Sequence, residues 1–247
     1  MKDDILTVMW KERKALLRTQ GRRSQLLLSV LSPLLLAIWL PWQTGVDWLE
    51  RSMSLMLSFL VAYMLVGLTI PDSFAGERER HTLPTLLSSR LPDRAILLGK
   101  IATSVLFGWG GAIVMLLVSL ITVNVTNWEG RLLFFKPSVL LANLALSLLA
   151  ALFTAGLGVV FSLRSRTVQE AQQLTMSVVL VPAIVLQFVA FLVLGSDAAK
   201  EMLGRTLGAL SFGQLIAIIV VIFLALDLAL LALARARFKR ARLILSQ

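Results

Sequence analysis

Residues 52–80, SMSLMLSFLVAYMLVGLTIPDSFAGERER, decide the fold, because a long apolar run ends here in four consecutive charged residues. As a helix, the run over residues 52–71 would be about 30 Å long, which matches the hydrocarbon thickness of a bilayer. It lacks the alternation of apolar and polar residues that a membrane β-strand would show. The stretch therefore predicts a transmembrane helix that ends at a charged segment outside the membrane.

Five further apolar runs flank this one along the chain. They cover residues 26–42, 98–122, 138–162, 174–194 and 213–234. The 247-residue chain is 57% hydrophobic with a mean hydropathy of +0.84, which is more apolar surface than one soluble core of this size could bury. The sequence predicts an all-α membrane protein with six transmembrane helices.

The distribution of basic residues predicts the orientation of these helices. Residues 1–25, 73–100, 163–173 and 235–247 together contain 19 of the 24 Lys and Arg residues. Because basic segments are retained in the cytoplasm, both termini are expected there, in a plasma membrane such as the bacterial inner membrane. The net charge of +10 then reflects this bias and attraction to lipid headgroups, so nucleic acid is not expected as a partner.

The chain is expected to be a single transmembrane domain. Its six-helix part covers residues 26–234, with a cytoplasmic extension at residues 1–25 and a basic cytoplasmic tail at residues 235–247. Within the first extension, a helix would align Ile5, Leu6, Met9 and Trp10 on one apolar stripe. Such a helix would lie along the inner membrane surface, although a solvated cytoplasmic helix remains the alternative. Arg13 breaks the pattern, because its position lies on the apolar stripe.

The composition also excludes several kinds of site. The chain has no cysteine and a single histidine, so disulfides, thiolate metal sites and histidine-rich metal sites are excluded. It contains no phosphate-binding G-x-x-x-x-G-K-[ST] motif, so we expect it to bind no cofactor and to hydrolyse no ATP itself.

Asp227 is the one acid well inside a predicted span, about 10 Å from the inner end of the sixth helix. An ionised carboxylate at this depth is costly unless it faces protein or water. Two interpretations remain open: a residue of a substrate pathway or gate, and a hydrogen-bonding partner of a neighbouring helix.

The charged segment that follows residue 71 resembles a docking surface. Asp72 and Thr82 are residue types that cap helices, and Leu83, Leu86 and Leu87 would share one face of a short second helix. Three leucines framed by ions would form a small exposed apolar face, of the kind that binds another protein.

The segment ERERHTLPTLLSSRL at residues 77–91, followed by ILLGK, resembles the permease subunits of ABC-2 type ATP-binding cassette transporters. These permeases have six spans and carry a similar segment after the second one. His81 stands where they usually carry glycine.

The resemblance implies a coupling helix that sits in a cleft of a separate cytosolic ATPase subunit. Leu83, Leu86 and Leu87 would fill that cleft. Glu77, Arg78, Glu79 and Thr82 would belong to the same coupling site, the first three making ionic contacts to the N-terminal helix or to the ATPase.

The resemblance also implies an assembly. Two ATPase subunits that hold ATP and Mg²⁺ would move two permeases, identical or different, and residues 164–173 would form a second contact. The substrate pathway would lie between the two permeases. The resemblance implies that transport is export. The alternatives are a secondary transporter or channel that uses Asp227, and a membrane anchor that recruits a cytosolic partner without transport.

Overall fold

The computed structural model describes residues 2–18, 20–128, 130–194 and 211–238, and these residues form helices joined by short connections, with no strand among them. The predicted all-α class is confirmed. Besides a short 3-10 turn at Pro71–Ser73, the described helices are α1 Lys2–Arg18, α2 Gln20–Thr44, α3 Asp47–Glu50, α4 Met53–Thr69, α5 Ala75–Glu79, α6 Leu83–Leu87, α7 Asp93–Thr126, α8 Pro137–Ser162, α9 Val168–Leu194 and α10 Phe212–Arg237.

Four ranges are long and apolar enough to cross a membrane. They are Met53–Glu79, Asp93–Thr126, Pro137–Ser162 and Gly213–Arg237, and a shorter apolar helix covers Val30–Thr44. The first and fifth predicted spans lie on α2 and α9, of which only part of the side chains are described. The chain is therefore a multi-pass membrane protein, and the count of six spans stays a prediction.

The core of the bundle lies where α4 packs against α7 and α8. A Cβ atom on Gly108 of α7 would lie 2.4 Å from the side chain of Val66, so glycine is what allows α4 and α7 to approach this closely. Between α4 and α8, the Asn143 side chain accepts from Ser58 Oγ at 2.7 Å and donates to Ser54 Oγ at 3.0 Å. Small residues and paired polar groups thus hold helices together where the hydrophobic effect cannot.

The last described helix, α10, is peripheral. It packs on α8 along one face, where Phe223 makes an edge-to-face contact with Phe153 at 5.5 Å and Leu230 lies against Gly156. Its other face exposes apolar side chains such as Val221 and Leu228. An exposed face of this composition is the surface that a lipid-facing helix presents.

The N-terminal helix α1 is not a free extension. It packs across α7, and a Cβ atom on Gly99 would lie 2.7 Å from the side chain of Val8. Because α7 begins at Asp93, this contact lies about 10 Å along α7 from its first residue. The predicted basic tail begins at the end of α10, and its residues 239–247 lie outside the described residues.

Candidate functional site

The charged segment at residues 70–92 forms a compact loop that contains α5 and α6, and we call it the α5–α6 loop. After Glu79, the N–H of His81 donates to the carbonyl of Arg78 and the N–H of Thr82 donates to the carbonyl of Glu77. This pair of bonds is the Schellman arrangement that ends a helix, and it requires a left-handed conformation at the first of the two donor residues. His81 has a φ of 55°, which explains why glycine suits this position.

The apolar face of α6 points towards the core of the bundle, whereas the sequence predicts that it faces solvent. Leu83 is 2% exposed and Leu86 is 8% exposed, and both belong to the chain's own hydrophobic core. The expectation that they form an exposed docking face is therefore wrong. Burying each leucine side chain stabilises the folded chain by about 1.5–3 kcal/mol relative to leaving it exposed to water. The side chain of Leu87 lies outside the described residues.

Polar residues form the outer face of the loop instead. Apart from Pro84 and Pro92, the described residues that are exposed are polar or charged: Glu79, Arg80, His81, Thr82, Thr85, Ser88 and Arg90. A surface partner of this loop would therefore meet a basic and polar face. A cleft of about 400 Å³ lies beside it, lined by charged, polar and apolar side chains that include Lys11, Glu77, Thr82, Thr85 and Leu86.

An ionic cluster joins the loop to two helices, and we define it as Lys11, Glu12, Glu77 and Lys100. Lys100 has a fully buried side chain, and its Nζ lies 2.7 Å from Glu12 Oε1 and 3.5 Å from Glu77 Oε1. The same Nζ donates to the carbonyl of Ser73 at 2.6 Å. Lys11 Nζ reaches Glu77 Oε1 at 2.9 Å. The loop is thus connected by charge to both α1 and α7, and of the two partners expected for Glu77 the structure shows the N-terminal helix.

Thr82 serves this cluster rather than the helix that follows it. It occupies the position before α6, yet its side chain makes no capping hydrogen bond. Its hydroxyl donates to the carboxylate of Glu77 instead. The predicted capping role is therefore wrong, because the hydroxyl is placed beside the carboxylate of Glu77 and makes no hydrogen bond to the first amides of α6.

Arg78 and Glu79 bind the connection between α8 and α9. The guanidinium of Arg78 donates to the carbonyls of Ser165 and Leu163, the latter at 3.1 Å. Glu79 Oε1 accepts from the N–H of Val168 at 2.8 Å. These are contacts to backbone groups rather than to charges. They place the predicted second contact, residues 164–173, directly beside the loop.

A further ion pair closes the loop on itself. Arg80 Nη2 donates to Asp72 Oδ2 at 3.0 Å. Burial alone would lower the pKa of the Arg80 guanidinium, but the hydrogen bond to Asp72 and the charges of Asp72, Glu77 and Glu12 raise that pKa above its ordinary value. Asp72 thereby holds the loop together across residues 72–80, while the residue at the cap position of α5 is Phe74.

Asp227 lies far along the chain on α10 and has different surroundings. The residue is 2% exposed, and it is on the same helical row as Phe223 and Leu230, which contact α8. Neither carboxylate oxygen has a hydrogen-bond partner among the described residues. The described structure therefore supplies no neighbouring helix group to satisfy this acid.

Three members of the ionic cluster, Lys11, Glu12 and Lys100, had no predicted role in the site. A signal for Lys100 was present, since it is a lone cation inside the apolar run at residues 98–122. Such a residue demands a buried partner, but the sequence alone does not identify Glu12 as that partner. Among the described residues no group of three or more His, Cys, Asp or Glu side chains could hold a metal ion.

A model of a known protein family matches most of the chain. The model described as ABC-2 type transporter matches residues 3–191, which include α1, the α5–α6 loop and the connection between α8 and α9. No curated protein shows significant similarity to the chain.

Proposed function

The chain belongs to the ABC-2 type transporter family as a transmembrane permease subunit that is not itself catalytic, and we propose that it serves an exporter driven through the α5–α6 loop. Membership implies association with ATP-binding cassette ATPase partners. In the proposed assembly two ATPase subunits bind ATP and Mg²⁺ and two permeases, this chain and a second one, span the membrane. Both termini and the α5–α6 loop face the cytoplasm, in a bacterial inner membrane.

The observation that carries this proposal is the attachment of the loop on three sides. Glu77 joins it to α1 through Lys11 and to α7 through Lys100, while Arg78 joins it to the connection between α8 and α9. A loop held this way cannot move alone. A force on it is transmitted to α1, α7, α8 and α9 together, which is the mechanical property that a coupling element needs.

The surface that meets the ATPase follows from the corrected orientation of α6. Leu83 and Leu86 anchor the loop to the bundle, and the exposed side offers Arg80, Thr85 and Arg90. We assign the ATPase contact to this side. Glu77, Arg78, Glu79 and Thr82 then act in coupling as the residues that fix the loop, and Leu87 remains a proposed part of the contact.

The substrate pathway is proposed to lie at the interface of two permeases, because few helices are available in one chain to enclose a substrate. Asp227 is the candidate gate residue. It is on the side of α10 that faces α8, so it would reach water or substrate only when these two helices separate. Its unpartnered carboxylate also supports the alternative of a secondary transporter or channel, in which ion binding to Asp227 would replace the ATPase as energy source.

The proposal is tested by purifying the tagged full chain from its native host in two matched variants. Thr85→Glu places a charge on the exposed side of α6, and Thr126→Glu places the same charge on an exposed residue at the opposite end of α7. We expect an ATP-binding cassette ATPase to copurify with the wild-type chain and with Thr126→Glu but to be lost with Thr85→Glu. Equal recovery from both variants, or no ATPase with the wild type, would overturn the proposal.

A further inference from the structure

Arg13 is a charged residue on the otherwise apolar stripe of α1, and the structure shows what surrounds it. Leu6, Trp10 and Arg13 follow one another at i, i+4 and i+7, so they form a single row along the helix. Leu6 is 61% exposed and Trp10 is 57% exposed. The adjacent row, which contains Val8, is the one that packs on Gly99 of α7. The row of Leu6, Trp10 and Arg13 is therefore a largely exposed apolar face that ends in a cation, with the amine of Lys14 lying 4.5 Å from the centroid of the Trp10 ring.

This row forms one wall of a cavity of about 620 Å³ between α1 and α7. The other wall consists of Thr103, Leu106 and Phe107 from α7. Thr103 donates its hydroxyl to the carbonyl of Gly99 at 2.8 Å, so its polar group is already engaged. Arg13 is the one charged side chain among the described residues that line the cavity. No described carboxylate forms a salt bridge with it.

The two walls are held in fixed positions. Val8 lies in close contact with Gly99, and the buried Lys100 binds Glu12 at 2.7 Å, immediately before Arg13 in the chain. The cavity is thus bounded by α1 on one side and a transmembrane helix on the other. Binding there requires little ordering of the protein, which favours affinity.

We propose that this cavity binds an anionic glycerophospholipid, with its phosphate on Arg13 and one acyl chain against Leu106 and Phe107. The charge is complementary, because a guanidinium recognises a phosphate through paired N–H groups. The shape is complementary too, because the apolar wall continues along α7 into its candidate membrane span. Trp10 lies between the two parts, at the boundary where indole rings are favoured.

A lipid fits these observations better than a protein segment. The cavity is formed by a surface helix and a membrane span, so its apolar part faces the acyl region of a bilayer. A peptide placed there would have to satisfy many backbone groups, and the described lining offers only the guanidinium of Arg13 and the indole N–H of Trp10 as free polar groups. The occupant also contacts the helix that carries Lys11 and Glu12, so its binding would stabilise the ionic cluster.

The test uses the full chain in vesicles that contain phosphatidylcholine and increasing amounts of either brominated phosphatidylglycerol or brominated phosphatidylcholine. Bromine quenches nearby tryptophan, and the difference between the wild type and Trp10→Phe isolates the signal of Trp10. We expect Trp10 to be quenched at lower mole fractions of the anionic lipid. Arg13→Gln should weaken the apparent affinity for that lipid about tenfold, because a charge-assisted hydrogen bond is lost.

Two controls keep this test decisive. Arg94→Gln removes an exposed arginine from the start of α7, outside the cavity, and should leave the quenching unchanged. Arg13→Lys keeps the charge and should retain part of the preference. Equal quenching of wild-type Trp10 by both brominated lipids would mean ordinary bilayer contact and would overturn the proposal. An Arg13→Gln curve that matches the wild type would also overturn it.

Discussion

Lys100 and Asp227 are both charged residues buried in long apolar helices, and their surroundings differ completely. Lys100 has a fully buried side chain with two carboxylates and a carbonyl around its amine. Asp227 is almost as buried, yet its two oxygens have no hydrogen-bond partner among the described residues. Burying either charge costs several kcal/mol unless partners offset that cost.

This difference separates two roles. The charge of Lys100 is compensated within the chain, so Lys100 stabilises one arrangement of α1, α7 and the α5–α6 loop. The charge of Asp227 is not compensated by any described group. We therefore expect the contact between α8 and α10 to be the part of the bundle that opens. The proposed function requires both features. The α5–α6 loop is held rigidly and receives the force, and helices α8 and α10 can separate.

The largest expected effect comes from removing the compensated charge. Lys100→Met leaves the carboxylates of Glu12 and Glu77 without their buried cation and should lower the free energy of unfolding by about 3–5 kcal/mol. Unfolding of the purified full chain in increasing SDS measures this loss. The matched variant Arg94→Met, on an exposed side chain of the same helix, should change stability by less than about 0.5 kcal/mol.

Combining Lys100→Met with Glu12→Gln should recover part of that loss, because the second change removes one of the stranded charges. If Lys100→Met were as stable as Arg94→Met, the ionic cluster would not hold the loop. The claim that Lys100 is a stabilising buried charge, in contrast to Asp227, would then be contradicted.

The attachment of the loop to the connection between α8 and α9 is expected to contribute less. Arg78→Ala removes two hydrogen bonds to the carbonyls of Leu163 and Ser165 and should lower the free energy of unfolding by about 2–3 kcal/mol. Protease digestion should then cleave the α5–α6 loop faster than in the wild type. Arg90→Ala, an exposed arginine of the same loop, provides the control, and equal cleavage of both variants would contradict the attachment.

The uncompensated charge should respond in the opposite direction. Asp227→Asn removes the cost of burying a carboxylate and should raise the free energy of unfolding by about 1–2 kcal/mol. SDS unfolding of the two purified proteins measures the change. A loss of stability of similar size would show that the carboxylate has a structural partner, and the gate assignment would then lack its basis.

The smallest effect concerns the end of α5. His81→Gly places glycine at the left-handed position and should raise stability by about 0.5–1 kcal/mol, after allowing for the greater freedom of glycine in the unfolded chain. Thermal unfolding of the purified protein detects this as a small upward shift. A downward shift would mean that the imidazole itself contributes a contact.

The sequence predicts the class of the fold well, because that class depends on local signals. Apolar length identifies helices such as α7 and α8, and the density of charges identifies the α5–α6 loop. It predicts the orientation of Leu83 and Leu86 wrongly, because a five-residue helix can present the same leucines to solvent or to the core. That choice depends on which surfaces the rest of the chain offers.

The ionic cluster could not be predicted for a related reason. Lys100 binds Glu12 across 88 positions of sequence and the carbonyl of Ser73 across 27. No periodicity connects residues so far apart, and only the packing of α1 across α7 brings them together. The lone cation in an apolar run indicates that a partner exists, and the fold determines which one it is.

The central claim, that an ATPase acts on the exposed side of the α5–α6 loop, is tested most directly by cross-linking. The chain contains no cysteine, so Thr85→Cys and Thr126→Cys each carry one unique thiol. In membranes of the native host, a thiol-to-amine cross-linker should join Thr85→Cys to an ATP-binding cassette ATPase and should not join Thr126→Cys to it. A cross-link from Thr126→Cys alone, or from neither position while the ATPase is present, would contradict the account.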